Sequence, residues 1–285
     1  MAKVNVQHAT IIGVGLLGGS IGLAIRRRFP KAVVAGVGRR KSSLALAIRH
    51  KCIHEAFLDA AEPVRRSDLV ILATPVGAFE KHLRAIAPVL KPGAMVTDVG
   101  STKAEVVRVA ERICGRGGAF VGSHPMAGSE NKGPAFATTD LLNGALCIVT
   151  PTKHTPPALR KRAETLWREL GMRTLRMAPA AHDRAAAAVS HVPHALSALL
   201  MLLPKDAELP VSATGLRDMT RLAGGDPEMW RDIMTTNRTA ILASLDNFSR
   251  SLAHLRAMLQ RDDAEAVETF FARAKRRRDA TLKEK

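Results

Sequence analysis

The first residues in this chain able to do chemistry are three glycines, in Gly13-Val14-Gly15-Leu16-Leu17-Gly18, which fits the pattern G-x-G-x-x-G. The pattern ends an apolar run over residues 10–14 that reads as a strand, and it opens a helical stretch over 16–28. A tight strand–helix turn can use glycines for its own sake. A strand before and a helix after are the context in which the pattern signals a dinucleotide site. There Gly13 permits the turn, Gly15 lets the backbone approach a pyrophosphate, and Gly18 lets helix and strand pack closely. The free N–H groups of Leu16, Leu17 and Gly18 at the helix start would face the phosphates.

Polar residues then gather in further segments: 98–103 (D-V-G-S-T-K), 122–130 (G-S-H-P-M-A-G-S-E), His182-Asp183 continued by Ser190-His191-Val192-Pro193-His194, and 215–221 with 226–230 just beyond. These types suit acid–base chemistry on an anionic substrate. A neutral imidazole such as that of His124 can accept a proton, although a loop histidine capped by backbone is the plainer reading of the residue alone. A guanidinium fork suits a carboxylate, and on a helix Arg217 and Arg221, one turn apart, share a face. On helical spacing Asp183, Ser190 and His194 share a narrow arc. His182, His191 and His194 raise the question of a metal. Their spacing lacks the i, i+4 helical pair and Pro193 intrudes, so no metal is expected.

The second strand ends in Gly36-Val37-Gly38-Arg39-Arg40-Lys41. NAD enzymes tend to carry an acid there for the ribose hydroxyls. Here three cations stand instead, and Arg39 or Arg40 could grip a 2′-phosphate. NADP is therefore favoured over NAD, with a plain basic surface turn as the alternative. Thr74-Pro75 follows the third clear strand, and Ser101 follows the fourth. Ligands of doubly wound sheets bind at the carboxyl ends of strands, which puts both beside a nicotinamide.

The elements needed to position these groups are legible. Apolar runs at 10–14, 32–37, 69–73, 94–98, 119–122 and 145–149 alternate with amphipathic stretches, implying βαβ units and a parallel sheet covered on both faces. The expected fold is α/β: a Rossmann-type parallel-sheet domain over 1–178, then an all-helical domain over 179–285. In the second part Ile233, Asn237, Ile241, Leu245, Phe248, Leu252, Leu255 and Leu259 recur at steps of three and four, predicting one long helix that opens near Asp226-Pro227. One small domain cannot cover so long a stripe, so a homodimer is expected.

Composition sets the remaining bounds. The 285 residues carry a formal net charge of +17, which first suggests nucleic acid. The cations are dispersed and aromatic residues are few. The densest run, 275–278, reads as a solvated helix end, so no nucleic-acid partner is expected. A positive field also suits a small polyanionic substrate. Residues 185–204 hold no Lys, Arg, Asp or Glu and are long enough to cross a bilayer. Ser190, His191, His194 and Ser197 would be costly in lipid, so a buried helix and no membrane are expected. Cys52, Cys114 and Cys147 are sparse, and no signal peptide is evident, so a cytoplasmic location is expected.

The combination G-S-x-K (100–103), H-P-M-x-G (124–128), H-D with S-H-x-P-H (182–194) and R-D-x-T-R (217–221) resembles the prephenate/arogenate dehydrogenase family, from the glycine turn to at least Trp230. The resemblance implies a Rossmann domain with a helical dimerisation domain, in a single-function form without a mutase segment. It implies oxidation of a cyclohexadienol at C4 with loss of carbon dioxide, toward tyrosine. His124 then matches the catalytic histidine, and Ser101 the serine that shares its hydrogen bond and positions the nicotinamide. Arg221 matches the arginine that holds a substrate carboxylate. Glu130, Asp218 and Trp230 resemble residues that order the pocket, and Ser190, His191 and His194 its side-chain end. Prephenate and arogenate differ only by keto against amino and stay undistinguished. A β-hydroxyacid-type dehydrogenase is the nearest rival, but it would need a lysine in the helical domain. A dinucleotide-sensing module would not need a histidine, a serine and an arginine aimed at one pocket.

Overall fold

The structure is a computed structural model describing residues 4–129 and 131–283. The strands are β1 (His8–Ile12), β2 (Val33–Val37), β3 (Glu55–Phe57), β4 (Leu69–Leu72), β5 (Met95–Asp98), β6 (Phe120–Pro125), β7 (Leu146–Thr150) and β8 (Arg173–Arg176). Between them lie α1 (Leu16–Arg28), α2 (Lys41–Arg49), α3 (Ala61–Val64), α4 (Phe79–Ile86), α5 (Ala104–Cys114) and α6 (Pro157–Glu169). They form one eight-stranded sheet in the order β3-β2-β1-β4-β5-β6-β7-β8. The order reverses between β1 and β4, where doubly wound sheets bind ligands. Every residue of β4 and β5 is buried, as expected of central parallel strands covered on both faces. Apolar side chains fill both layers, around Ile11, Ile21 and Trp167 on one side and Phe79, Leu72 and Val107 on the other.

One expectation for the sheet needs correcting. Strand β7 runs antiparallel to β6, with Ser123 opposite Val149 and His124 opposite Ile148, so the sheet is mostly rather than wholly parallel. The buried run Leu146–Thr150 shows no alternation that would reveal its direction.

The helices that follow are α7 (Pro179–Ala186), α8 (Val192–Leu202), α9 (Thr214–Thr220), α10 (Pro227–Thr236), α11 (Arg238–Gln260) and α12 (Ala264–Lys283). The chain divides into two compact units, Met1–Arg238 and Thr239–Lys285. The first holds the sheet and the helices through α10; the second holds nearly all of α11, with α12.

The expected single long helix is two. Helix α10 stops at Thr236 and α11 starts at Arg238. Asn237 between them is buried, and its amide nitrogen donates to the Asp183 carbonyl oxygen (2.9 Å) and to His191 Nδ1 (3.0 Å). A side chain so engaged leaves the helical stripe. A second correction concerns 187–191, where a π-helical turn (Ala187–His191) joins α7 to α8. Its wider winding breaks the arc expected for Asp183, Ser190 and His194. Nor is the apolar stretch Pro179–Leu202 the buried helix expected: only 28% of its most apolar window is buried within the chain, and Val189 and Leu202 are 72% and 81% exposed. In the second unit Leu242, Phe248, Leu252, Leu259 and Phe271 are likewise exposed.

Candidate active site

The glycine turn forms as its spacing implies. Gly13 sits at φ 101°, and a Cβ there would lie 2.5 Å from the Ala73 carbonyl oxygen, at the end of β4. A Cβ on Gly18 would fall 2.1 Å from the Gly13 carbonyl oxygen. Gly15 differs: a Cβ there would meet nothing within 4 Å, so its face is open. Gly15 caps α1 without a side-chain hydrogen bond, and the first turn has no acidic residue. The N–H groups of Leu16, Leu17 and Gly18 therefore point from a helix start at a cradle without side chains, the arrangement that binds phosphate. Thr74 and Pro75 leave β4 beside this turn, and Thr74 Oγ1 is buried without a partner among the described residues. Arg39 and Arg40 follow β2 as exposed side chains with no ion pair among the described residues.

At the same sheet edge, β6 delivers His124. Its Nδ1 lies 2.9 Å from His182 Nε2, and His182 Nδ1 lies 2.8 Å from Asp183 Oδ1. The Asp183 carboxylate also accepts the backbone N–H groups of Lys103 (2.7 Å) and Ala104 (2.8 Å), at the start of α5. His124 Nε2 has no hydrogen bond among the described residues, yet it is not sealed from solvent, and the residue is 9% exposed. Burial first, then the neighbouring His182, Lys103 and His191, hold the His124 imidazole well below its usual basicity, so its neutral form prevails at pH 7.

A buried ion pair stands behind this histidine. Lys103 Nζ donates to the Asp98 carboxylate and to the Ser123 carbonyl oxygen (2.8 Å), while Asp98 Oδ1 accepts the Ser123 N–H (3.0 Å). Both side chains are wholly buried, and burial pulls the Lys103 pKa down against the opposing pull of Asp98. The backbone one residue before His124 is thus gripped from both sides.

The helices supply the far wall. His191 is buried beside the backbone of Ser101 and takes the Asn237 hydrogen bond on Nδ1, with burial lowering its pKa to about 4. The His194 ring lies on Trp230 at 3.9 Å between centroids, and the His191 ring meets Trp230 edge-on at 6.1 Å. Arg221 is close enough to His194 to add to the lowering that burial imposes on that ring. Helix α10 is tied over the strand ends: Asp232 Oδ2 accepts the Gly77 N–H (3.2 Å), and the Thr102 and Thr236 hydroxyls meet at 2.9 Å. Trp230 Nε1 is buried without a partner among the described residues.

Ser101, His124, His191, His194, Trp230 and Arg221 thus form a connected series along one edge. Ser190 enters through its backbone, whose carbonyl oxygen takes the His194 Nδ1–H (2.9 Å). Arg221 opens a 3-10 turn (Arg221–Gly224) after α9, so the helix assumed to align it with Arg217 ends one residue short. Arg217 and Thr220 line a separate open cleft of about 540 Å³ with Met201 and Leu209. Glu130 lies outside the described residues. No group of three or more His, Cys, Asp or Glu side chains able to hold a metal occurs among the described residues. Residue types alone assigned no hydrogen-bonding part behind His124 to His182, Asp183, Asp98, Lys103 or Asn237, although four of the five lie inside the motifs.

A sheet of this order, with a bare glycine turn at its reversal point, is the frame of a dinucleotide-binding protein. A sequence model for "Prephenate dehydrogenase, nucleotide-binding domain" matches residues 21–176, and one for "Prephenate dehydrogenase, dimerization domain" matches 178–273. Prephenate dehydrogenase of Bacillus subtilis is 33% identical, covering 97% of this chain and 77% of its own. Cyclohexadienyl dehydrogenase of Zymomonas mobilis is 32% identical over 95% of each chain. The chain superposes on prephenate dehydrogenase from A. aeolicus in complex with hydroxyphenyl propionate and NAD+, with TM-score 0.92 and 30% identity, covering 98% of this chain and 100% of the other. Synechocystis arogenate dehydrogenase gives TM-score 0.83 at 28% identity, covering 96% of this chain and 100% of the other. The chain belongs to the prephenate dehydrogenase family.

Proposed function

We propose that this protein oxidises prephenate to 4-hydroxyphenylpyruvate with loss of carbon dioxide, reducing a nicotinamide dinucleotide, in the route to tyrosine. The observation that carries the reading is the Nε2 of a neutral, largely buried His124, without a partner among the described residues, on the sheet edge that bears the glycine turn. Strands β1 and β6 are three spacings apart in the sheet, roughly 14 Å. An extended dinucleotide laid from the turn toward β6 spans that distance.

The open face of Gly15 and the uncapped start of α1 fit a pyrophosphate, held by Gly13, Gly15, Leu16, Leu17 and Gly18. Thr74, Pro75 and Ser101 would flank the nicotinamide end. A bound oxidised nicotinamide would supply the acceptor for the hydride that leaves the ring carbon bearing the hydroxyl. His124 Nε2 takes the hydroxyl proton, an effect typically worth about 10²–10⁴-fold. Arg221 holds a substrate carboxylate, which fixes the ring relative to His124. Ser190, His191, His194 and Trp230 would surround the side chain of the substrate, and the resemblance adds Glu130, outside the described residues, to that set. The roof formed by α10 limits water at the reacting carbon.

Two finer points belong to the same reading. The exposed Arg39 and Arg40 favour NADP over NAD. The uncovered apolar surface of Pro179–Leu202 and of α11 favours a homodimer, with 179–285 as the substrate and dimerisation domain and 1–178 as the dinucleotide domain. Three free cysteines suit a reducing cytoplasm, and neither nucleic acid nor membrane is required as a partner. Measuring prephenate- and arogenate-dependent reduction of NAD+ and NADP+ tests the reading. Prephenate-dependent reduction, faster with NADP+, is expected. Turnover of neither acid refutes the activity, turnover of arogenate alone replaces the substrate, and a strong NAD+ preference removes the role of Arg39 and Arg40. Sedimentation at micromolar concentration should give twice the mass of one chain.

A further inference from the structure

We infer that Asp183 and His182 are positioning residues that set the tautomer of His124 and so aim a bare Nε2 at the substrate; this rests on the reaction proposed above. The argument follows the protons. A carboxylate only accepts hydrogen bonds. Asp183 Oδ1 already takes the Lys103 N–H, and it lies 2.8 Å from His182 Nδ1, so that nitrogen carries the ring proton. A neutral imidazole has one N–H, which leaves His182 Nε2 as an acceptor. His124 Nδ1, 2.9 Å away, must then be the donor. The lone pair of His124 is left on Nε2, since the ring's hydrogen bond among the described residues is made by Nδ1. With both rings neutral, a single arrangement of protons satisfies the series, and it is the one that a general base requires.

The anchor of the series is held by several hydrogen bonds. Asp183 receives two backbone N–H groups at the first turn of α5, where the helix dipole adds to the hydrogen bonds. Its backbone carbonyl oxygen takes the Asn237 amide. His182 is wholly buried, so water cannot take over its part. Lys103, whose N–H binds Asp183, also grips the Ser123 carbonyl oxygen beside His124 through its ammonium. Both ends of the series are therefore referred to the start of one helix.

The test is to replace His182 by Phe and by Gln in the full-length protein. Phenylalanine keeps the shape of the ring and removes the acceptor. Glutamine places an amide oxygen about where Nε2 stood. We expect His182→Phe to lower kcat by on the order of 10²-fold with little change in the affinity for dinucleotide, and His182→Gln to recover most of that loss. Ring ¹H–¹⁵N correlations of histidine-labelled protein read the tautomer directly, with the His124 signals assigned by their loss in His124→Asn. The wild type should show a protonated Nδ1 and a bare Nε2. A proton on Nε2 in the wild type overturns the inference, and so does wild-type kcat in a folded His182→Phe. If the Phe variant does not fold, the wild-type spectrum and the Gln variant still decide. The expected tautomer in a protein that reduces no dinucleotide with prephenate would keep the positioning and refute the reaction.

Discussion

Gly15→Ala and Gly18→Ala should separate cofactor binding from folding, because the two glycines are needed for different reasons. At Gly15 the backbone is at φ −92°, ψ −153°, a conformation open to alanine, and a Cβ would meet nothing. Removing a glycine from the unfolded chain stabilises by about 0.4–1 kcal/mol. Losing glycine at a helix N-cap costs a similar amount. The two offset, so Gly15→Ala should leave stability within about 1 kcal/mol of wild type. Its methyl nevertheless occupies the face against which the pyrophosphate would lie, so affinity for the dinucleotide should fall at least tenfold, about 1.4 kcal/mol. At Gly18 the order reverses. Inside a helix alanine is favoured by up to about 1 kcal/mol. The new Cβ, however, would stand 2.1 Å from a backbone oxygen of Gly13, which is itself pressed on Ala73. Neither side can yield without lifting α1 from the sheet, and overpacking of that kind costs about 1–3 kcal/mol. A net loss of 2 kcal/mol would lower Tm by roughly 4–8 °C in a unit of this size. Thermal unfolding and calorimetric titration with NAD+ and NADP+ read the two effects separately. Wild-type affinity in Gly15→Ala would show that no pyrophosphate rests on this turn; wild-type Tm in Gly18→Ala would show that the close approach does not constrain the fold.

Three further outcomes are expected. His124→Asn should lower kcat by about 10²–10⁴-fold with KM for prephenate nearly unchanged, and unaltered turnover in steady-state assays would exclude His124 as the base. Arg221→Ala should raise KM for the substrate by at least tenfold, roughly the 1.5–3 kcal/mol of a charge-assisted hydrogen bond, and an unchanged KM would remove Arg221 from the site. Acidification should destabilise the fold through His191: its folded pKa is about 4 against 6.5 when unfolded, so the unfolded chain takes the proton first and stability falls as pH drops across that window. The fall is about 3 kcal/mol from this group, and urea unfolding at pH 7 and pH 4 should show a smaller loss in His191→Gln than in wild type.

The parts of the fold legible in the sequence are those whose burial is symmetrical. Strands β1, β2, β4 and β5 are covered on both faces and print continuous apolar runs. The edge strands β3 (E-A-F) and β8 (R-T-L-R) are partly or largely exposed and leave no such run, so they went unread. The helix break at Asn237 and the π turn at Ala187–His191 were hidden for a different reason. Each is imposed by a contact made across the chain, and a local period cannot register it. Site residues divide in the same way. Gly13, Gly15 and Gly18 were readable because their task is local, a matter of backbone shape within six residues. Asp183 stood in a conspicuous motif without a role, since its partners are N–H groups 80 and 79 residues away. Sequence spacing showed which side chains could do chemistry; only the fold showed which proton each one holds.

Those distant contacts also explain why so much polar material lies under one sheet edge. Lys103, Asp98, His182, Asp183, His191 and Asn237 are all buried, and burying polar groups costs free energy unless they are paired. Here each has a partner, and the pairs interlock: Asp98 with Lys103, Lys103 with Ser123, Asp183 with Lys103 and His182, His191 with Asn237. A hydrophobic filling of the same volume would often be as stable or more so. What it could not do is hold an imidazole neutral, in one tautomer, at one angle. The desolvation that makes the fold sensitive to acid is the same desolvation that keeps the His124 lone pair free at neutral pH. A variant that relieved the first by exposing the cluster should therefore weaken the second.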